Sequence, residues 1–499
     1  MTAGGATARV RDVLARVRGR RIHVLGPSGT EGSSVIDFLV RHGITMITAH
    51  DLEPADRFAE TVTRTHRWLD AEGRTALMRR LRAAPIAWRQ GPDYLDTLDE
   101  AEVIFVPQSW MRHPQNAPVR DAARRGVPLS SMTQLFFEVC PGPILGVTGT
   151  NGKFTVATLI SAMIEAAGIK VVTSGNDRTH VPALAAIDRL NPQTWLVLEI
   201  SNRQLLGLPY SPHVAVVTNI APHHLDDHGS MEAYAEAKRA IVRHQTSRDH
   251  VVLNADDLRV ARFAEGAVSR IHWFSSQRRV PVGACVDEAK IVLTGPTLDV
   301  VLPVSEVGMP GAHMIENALA ATAAAAIAGA DRASIAAVLR AFRGLPYRFR
   351  LVLEREGIAF HEDSLGTNPT SAAAAIAAMT RPFYLIAGGV RKSARPEEFL
   401  PMARALEASP VRGIYLIGST APLLAEVFAG LRGRPHVEQT GTLDAAMAKA
   451  WEAAGPGEAI LLSPGCESFD QFADYRARGD RFCALAEELP ARAGKGTRV

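Results

Sequence analysis

Gly146-Val-Thr-Gly149-Thr-Asn-Gly152-Lys153 continues an apolar run, Ile144 to Val147, and leads into a helical stretch, Lys153 to Ala167, that stops at Gly168. A strand, a glycine turn and a helix opening on a lysine form an anion cradle. Backbone N–H groups and the helix N-terminus face the ligand, and the ammonium neutralises terminal phosphates. Many tight turns share the glycines; the lysine and the immediate helix separate this one from them.

Working outward, short β-branched runs alternate with longer helical stretches, the pattern of parallel sheets with crossover helices. Toward the N-terminus, a strand Arg21 to Leu25 ends in Gly26-Pro-Ser-Gly29-Thr-Glu-Gly32 and passes into a helix, Ser33 to Arg41; Thr45 to Ala49 and Val103 to Val106 read as further strands. The charged segment Pro54 to Asp99 reads as a helical insertion. Toward the C-terminus, strands are expected at Trp195 to Ile200, His213 to Asn219 and Val251 to Asn254, followed by an alanine-rich helix, His313 to Ala328. Beyond Gly344-Leu-Pro346, strands at Ile358 to Glu362, Phe383 to Ala387, Ile414 to Ile417 and Ala459 to Leu462 describe another doubly wound sheet.

The length of 499 residues suits roughly three domains. The expected division is 1–140, 141–343 and 344–499, the middle block beginning at Pro141-Gly-Pro143. A net charge of +3 leaves no electrostatic footprint for nucleic acid, so none is expected as a partner. The basic stretch Arg9 to Arg21 lacks the apolar segment a targeting signal needs. The longest apolar run, Ala318 to Ala330, falls short of a bilayer span, so no membrane partner is expected either. Cys140, Cys285, Cys466 and Cys483 form no CxxC pair, which suits a reducing cytoplasm.

The spelling Gly149-Thr-Asn-Gly152-Lys153 resembles the Mur ligase family, and the resemblance runs through nearly the whole chain. Leu198-Glu199-Ile-Ser201-Asn-Arg-Gln204, Asn219 through His223-His224-Leu-Asp226-Asp-His228 to Met231, Tyr234-Ala-Glu-Ala-Lys238 and Asn254-Ala-Asp-Asp257 follow in the family's order. Gly344-Leu-Pro-Tyr-Arg348, Asp363-Ser364 to Thr367-Asn368, and Leu462-Ser463-Pro464 through Ser468-Phe-Asp470-Gln-Phe continue it. The last segment is most similar to the D-glutamate-adding branch.

That resemblance implies an α/β protein of three domains: an N-terminal Rossmann-like UDP-binding domain, a central P-loop ATPase-like domain and a C-terminal Rossmann-like domain. It implies an ATP-dependent ligase of peptidoglycan precursor synthesis, cytoplasmic and monomeric. Such an enzyme joins D-glutamate to UDP-N-acetylmuramoyl-L-alanine through an acyl phosphate. Carried over residue by residue, Gly149, Thr150, Asn151, Gly152, Lys153, Thr155, His313, Asn317, Arg348 and Asp363 are expected to hold ATP. Glu199, His224 and Lys238 are expected to direct magnesium, the last as a carbamate, with Lys153, Lys238 and His224 as the catalytic set. Gly26, Ser28, Gly29, Thr30, Gly32 and Asn176 are expected around the UDP-sugar. Thr367, Lys392, Ser468 and Tyr475 are expected around the amino acid.

Several positions depart from the family. Phe154 follows the phosphate lysine where the family carries a magnesium-ligating hydroxyl, and Thr155 points about 100° away on a helix. Leu365 removes a lysine from the expected glutamate pocket, Met314 an asparagine near adenine, and Val390 an aspartate; His223 and Asp227 also differ, as does Pro107-Gln-Ser-Trp110. Two alternatives therefore stand beside the main reading: a paralogue using another amino acid such as L-glutamate, and a degenerate nucleotide-sugar-binding regulator.

Overall fold

The computed structural model describes residues 4–66, 68–175, 181–187, 190–221, 230–309, 311–391, 395–433 and 435–490. These fall into two compact units, Met1–Ala341 and Phe342–Val499, each built on parallel sheets with crossover helices.

The first unit holds two sheets. One runs in the order β3-β2-β1-β4-β5, with β1 Ile22–Leu25, β2 Ile47–Asp51, β3 Ile86–Gln90, β4 Val103–Phe105 and β5 Leu129–Ser130. All four of its pairings are parallel. The other has nine strands in the order β14-β13-β12-β11-β10-β9-β6-β8-β7. Its parallel part comprises β6 Ile144–Thr148, β7 Val171–Ser174, β8 Trp195–Glu199, β9 Val214–Val217, β10 His250–Asn254, β11 Arg270–Ser275 and β12 Gly283–Asp287; β13 Lys290–Thr294 and β14 Leu298–Pro303 extend it antiparallel. One continuous apolar core joins the two sheets. Val24 of the first, Phe38 of the helix Thr30–Arg41 that follows β1, Phe136 and Val139 of the connecting helix Met132–Val139, and Leu198 and Val217 of the second all belong to it. That continuity explains why two sheets make one compact unit.

The second unit has six strands in the order β15-β16-β20-β17-β18-β19: β15 Arg350–Arg355, β16 Ile358–Glu362, β17 Phe383–Gly388, β18 Val411–Ile417, β19 His436–Gly441 and β20 Ala459–Leu462. The central strand β20 is buried along its full length (Ala459, Ile460, Leu461 and Leu462). Separate apolar layers cover its two faces.

Every strand expected from the sequence is present within a few residues, and so is the alanine-rich helix, at Ala312–Ile327. The strands that escaped reading are edge or hairpin strands, except β11, which lies inside the nine-stranded sheet between β10 and β12. In the charged segment two helices form, Phe58–Thr65 and Ala71–Ala83, the second capped by Asp70 accepting from Gly73 N at 2.7 Å. The same segment also carries β3, so the purely helical reading is corrected: Ile86–Gln90 alternates half-buried with exposed residues on a sheet edge. The hairpin from β12 to β13 turns at Glu288 and Ala289, with φ of 45° and 57°. That left-handed pair normally carries Asn-Gly, so no turn signal announced it.

Candidate functional site

In each sheet the glycine-rich or polar loops lie at the carboxyl end of strands where the strand order reverses, the usual crevice of open α/β sheets. β1 sits between β2 and β4, β6 between β8 and β9, and β20 between β16 and β17.

At β6 the loop is shaped by two glycines in the left-handed region, Gly149 at φ +147° and Gly152 at φ +81°. Neither tolerates a side chain, for a Cβ on Gly149 would lie 1.9 Å from Thr218 Oγ1 and one on Gly152 would lie 2.2 Å from Asn317 Oδ1. The neighbouring strand end tightens the turn. Thr150 N donates to Asn219 O at 2.8 Å, Asn151 N to Asn219 Oδ1 at 2.9 Å, and Thr218 Oγ1 to Asn151 O at 2.6 Å. The helix Lys153–Ala166 then begins at the predicted lysine, whose Nζ donates to Thr150 O at 2.9 Å.

Lys238 closes the back of this loop. It lies on the helix Met231–Arg239, is 1% exposed, and donates from Nζ to Gly149 O at 2.7 Å. Its ammonium lies 4.8 Å from the centre of the Tyr234 ring. Burial, and then the like charge of Lys153, push its pKa down to about 7 against the pull of Glu199. Glu199 ends β8, and Gly175 gives it room: a Cβ there would stand 2.9 Å from Glu199 Cβ. Lys153, Lys238, Glu199, Gly149, Thr150, Asn151, Gly152 and Asn317 are thus brought together. Thr155 is buried, His313 is exposed at its helix start, and Phe154 is half-buried. His224 lies outside the described residues, as do Asn176 and Lys392. Among the described residues no three His, Cys, Asp or Glu side chains cluster as metal ligands.

The loop after β1 is built differently. Gly26 has φ +67°, and a Cβ on Gly32 would lie 2.4 Å from Gly26 O. Ser28 N donates to Asp51 Oδ2 at 2.7 Å, and burial raises the pKa of that carboxyl. Gly29 caps the helix Thr30–Arg41 with extended backbone.

In the second unit the loops after β16, β17 and β20 meet. Gly465 N donates to Gly366 O at 2.8 Å, and Val390 and Glu467 exchange backbone bonds of 2.9 and 3.1 Å. Asp363 is 5% exposed, accepts from Ser463 Oγ at 2.7 Å and Phe349 N at 3.2 Å, and is pushed up to about 7 by burial. Its neighbour Glu362 accepts from Ser364 N and Tyr347 N, each at 2.8 Å, and is raised to about 7 by the same cause. Arg348 contributes charge to Asp363 from the turn Leu345–Arg348. Arg478 is wholly buried and ties the pieces together, donating to Ser364 Oγ, Ser364 O and Cys466 O at 2.9, 2.9 and 3.1 Å. Ser364 Oγ in turn donates to the carbonyl of Tyr475 at 2.7 Å. Ser468 is 1% exposed, and its hydroxyl has no hydrogen-bond partner among the described residues, as a group held for a ligand would be. Thr367 is half-buried on the loop after β16.

Sequence reading missed Asp51, Glu362 and Arg478. Asp51 and Glu362 share one signal, an acid ending a buried strand. Arg478 has none, because a lone arginine three residues into a helix reads as a solvated one.

Two family models match the chain, the Mur ligase middle domain over residues 147–325 and the Mur ligase glutamate ligase domain over 347–466. A UDP-N-acetylmuramoylalanine--D-glutamate ligase of Symbiobacterium thermophilum is 35% identical over 92% of this chain and 96% of its own length. One of Acetivibrio thermocellus is 32% identical over 97% and 99%. Among solved structures, the UDP-N-acetylmuramate-alanine ligase MurC of Thermotoga maritima covers 94% of this chain and 99% of its own, with a TM-score of 0.53 at 16% identity, a likeness of fold. With relatives above 30% identity along almost its entire length, this chain belongs to the Mur ligase family.

Proposed function

We propose that the protein is an ATP-dependent ligase that joins D-glutamate to UDP-N-acetylmuramoyl-L-alanine, as the names of its relatives say of them. The observation that carries the reading is the pair of lysines on one loop: Lys153 at the helix start and buried Lys238 on Gly149 O, with Glu199 beside them. Transfer of a γ-phosphoryl to a carboxylate brings two anions together, and such a site works by positioning and charge neutralisation. Lys153 and the backbone N–H groups of the loop hold the triphosphate, with Asn317 of the alanine-rich helix standing against Gly152 to meet the nucleotide. Magnesium bound with ATP supplies the remaining positive charge.

The donors fit that hard cation, which prefers carboxylate oxygens. Glu199 is one. Lys238 becomes another when its amine, held near neutrality by burial, forms an N–C bond to carbon dioxide and releases a proton, leaving a carbamate. His224 is the third ligand in this reading. The substrate carboxylate takes the phosphoryl group, the amine of the amino acid attacks the acyl carbon, and phosphate leaves. The nucleotide-sugar belongs at the loop of Gly26, Ser28, Gly29, Thr30 and Gly32, with Asn176. The amino acid belongs at Thr367, Lys392, Ser468 and Tyr475, where the unpartnered Ser468 hydroxyl supports a carboxylate contact. We place the domain boundaries at 1–140, 141–343 and 344–499, and read the protein as a cytoplasmic monomer. No helix among the described residues is long and apolar enough to cross a membrane.

Phosphate release from ATP, measured with UDP-N-acetylmuramoyl-L-alanine and each amino acid in turn, tests the proposal. Turnover with D-glutamate alone is expected. Turnover with L-glutamate or another amino acid would replace the substrate, and the loss of a cation at Leu365 is the feature that favours that second reading. Binding without turnover, relieved by Phe154→Ser, would make the chain a degenerate member.

A further inference from the structure

The crossover from β2 to β3 does more than connect strands. Its first helix, Phe58–Thr65, ends against the loop that follows β1. Thr65 Oγ1 donates to Ser28 O at 2.8 Å, sharing its proton with Thr61 O at the same distance. Thr30 Oγ1 returns a bond to Thr65 O at 3.0 Å. One residue on, the wholly buried His66 meets Ser33 Oγ through Nε2 at 2.6 Å. Its Nδ1 lies 3.1 Å from Val62 O and 2.9 Å from Thr65 Oγ1, so the ring joins the same network through both nitrogens. Burial holds this imidazole neutral, its pKa pushed down to about 4. On the other side, Ser28 N is held by Asp51 at the end of β2.

Ser28 is therefore gripped at both ends of its backbone, the N–H by β2 and the carbonyl by the crossover. The Thr30 hydroxyl, at the first position of its helix, is already committed to Thr65 O. Gly29 N is likewise committed, to Gly26 O at 3.0 Å, so what the loop presents to a ligand is the first turn of the helix Thr30–Arg41, fixed in advance, rather than hydroxyls that must be recruited. Preorganisation of this kind lowers the ordering cost of binding.

We propose that Thr65 is a positioning residue that preorganises the Ser28–Thr30 loop for the diphosphate of the nucleotide-sugar substrate. This rests on the reading of that loop as the nucleotide-sugar site. Thr65→Val removes the hydroxyl at nearly constant volume. One lost hydrogen bond corresponds to about a threefold to tenfold change. The KM for UDP-N-acetylmuramoyl-L-alanine is expected to rise by about that factor, with kcat at saturation and the KM values for ATP and D-glutamate within about twofold. Thr65→Ser, which keeps the hydroxyl, should restore the wild-type KM, which a purely packing role for the methyl group would not.

Two direct measurements accompany the kinetics. UDP alone, titrated calorimetrically, should bind the wild type and bind Thr65→Val more weakly. Hydrogen exchange of the amides of residues 28–33 should be slow in the ligand-free wild type and faster in the variant. Wild type that binds UDP, with a variant that binds it equally well, would overturn the positioning role and leave the site standing. Wild type that binds no UDP at millimolar concentration would remove the nucleotide-sugar reading itself, and this inference with it. Fast exchange at 28–33 in the ligand-free wild type would overturn preorganisation whatever the variant does.

Discussion

The loops after β1 and β6 look alike in sequence, each a strand running through glycines into a helix, yet they solve different problems. The β6 loop bends through two left-handed glycines, Gly149 and Gly152, and collects two lysines around one carbonyl turn. The β1 loop has one left-handed glycine, Gly26, no lysine, and a network of hydroxyls, an imidazole and the Asp51 carboxyl behind it. Concentrated positive charge suits a site where charge moves during reaction; a rigid frame without cations suits one where a ligand is only held. The difference teaches that glycine spacing identifies an anion-facing turn, while the groups behind the turn say what the anion does there.

The sharpest way to break the contrast is to remove the charge. Lys153→Ala should lower phosphate release by at least about 10²–10³-fold, the scale of losing one preorganised donor to a developing charge. The folded state should persist, because Lys153 is a half-buried side chain at a helix start. Circular dichroism and the phosphate assay together check this; near-normal turnover would mean the β6 loop is not where the phosphoryl group moves. Lys238→Ala should be nearly as damaging, but millimolar acetate should return part of the rate by restoring a carboxylate beside Glu199. Wild-type turnover in Lys238→Ala would remove the carbamate from the mechanism.

A smaller effect separates the two turns by backbone alone. Gly152→Ala forces a left-handed residue and a Cβ 2.2 Å from Asn317 Oδ1, so it should lose about 1–3 kcal/mol and bind ATP poorly. Gly29→Ala in the other loop has φ −92° and a Cβ 3.3 Å from Gly26 O, a fit that needs only a slight shift. Its denaturation midpoint should stay close to wild type. Equal losses in both variants would mean the two loops are under the same strain.

What could be read from the sequence follows the same division. The strands β6, β8, β9 and β10 are nearly continuous apolar runs buried on both faces, so Ile144–Thr148 and Trp195–Glu199 stood out. The edge strands β3, β15 and β19 have half-exposed, charged faces, as in Arg350–Arg355, and gave no clear period. Lys153, Glu199 and Lys238 were found through an ordered set of motifs that the family models and relatives bear out as family membership. Thr65, His66 and Arg478 were not. Their roles arise only when residues far apart in the chain meet, Arg478 with Ser364 over 114 positions and His66 with Ser33 over 33. A hydrogen bond of that span leaves no local trace.

The smallest expected effect sets the two units against each other in pH. In the first unit, burial pushes His23, His66 and His272 down to about 4 and also lowers His50, His213 and His250. Each is neutral in the fold and protonates in the unfolded chain near 6.5, so its contribution is present above that value and lost as pH falls toward 4. Glu31, raised to about 7, Asp51 and Glu316 act in the opposite sense but are outnumbered by these six histidines and His313, which burial also lowers. In the second unit Glu362 and Asp363 are raised to about 7 by burial, so their contribution is present below the unfolded carboxylate range and lost as pH rises through 7. His361, lowered to about 4, offsets one of them. Between pH 5 and 7, hydrogen-exchange protection should therefore rise with pH in the strands of the first unit and fall in β16 and β20 of the second. Parallel trends in both would show that Glu362 and Asp363 are ionised in the ligand-free protein, their charge met by groups other than the hydrogen bonds from Ser364, Tyr347, Ser463 and Phe349.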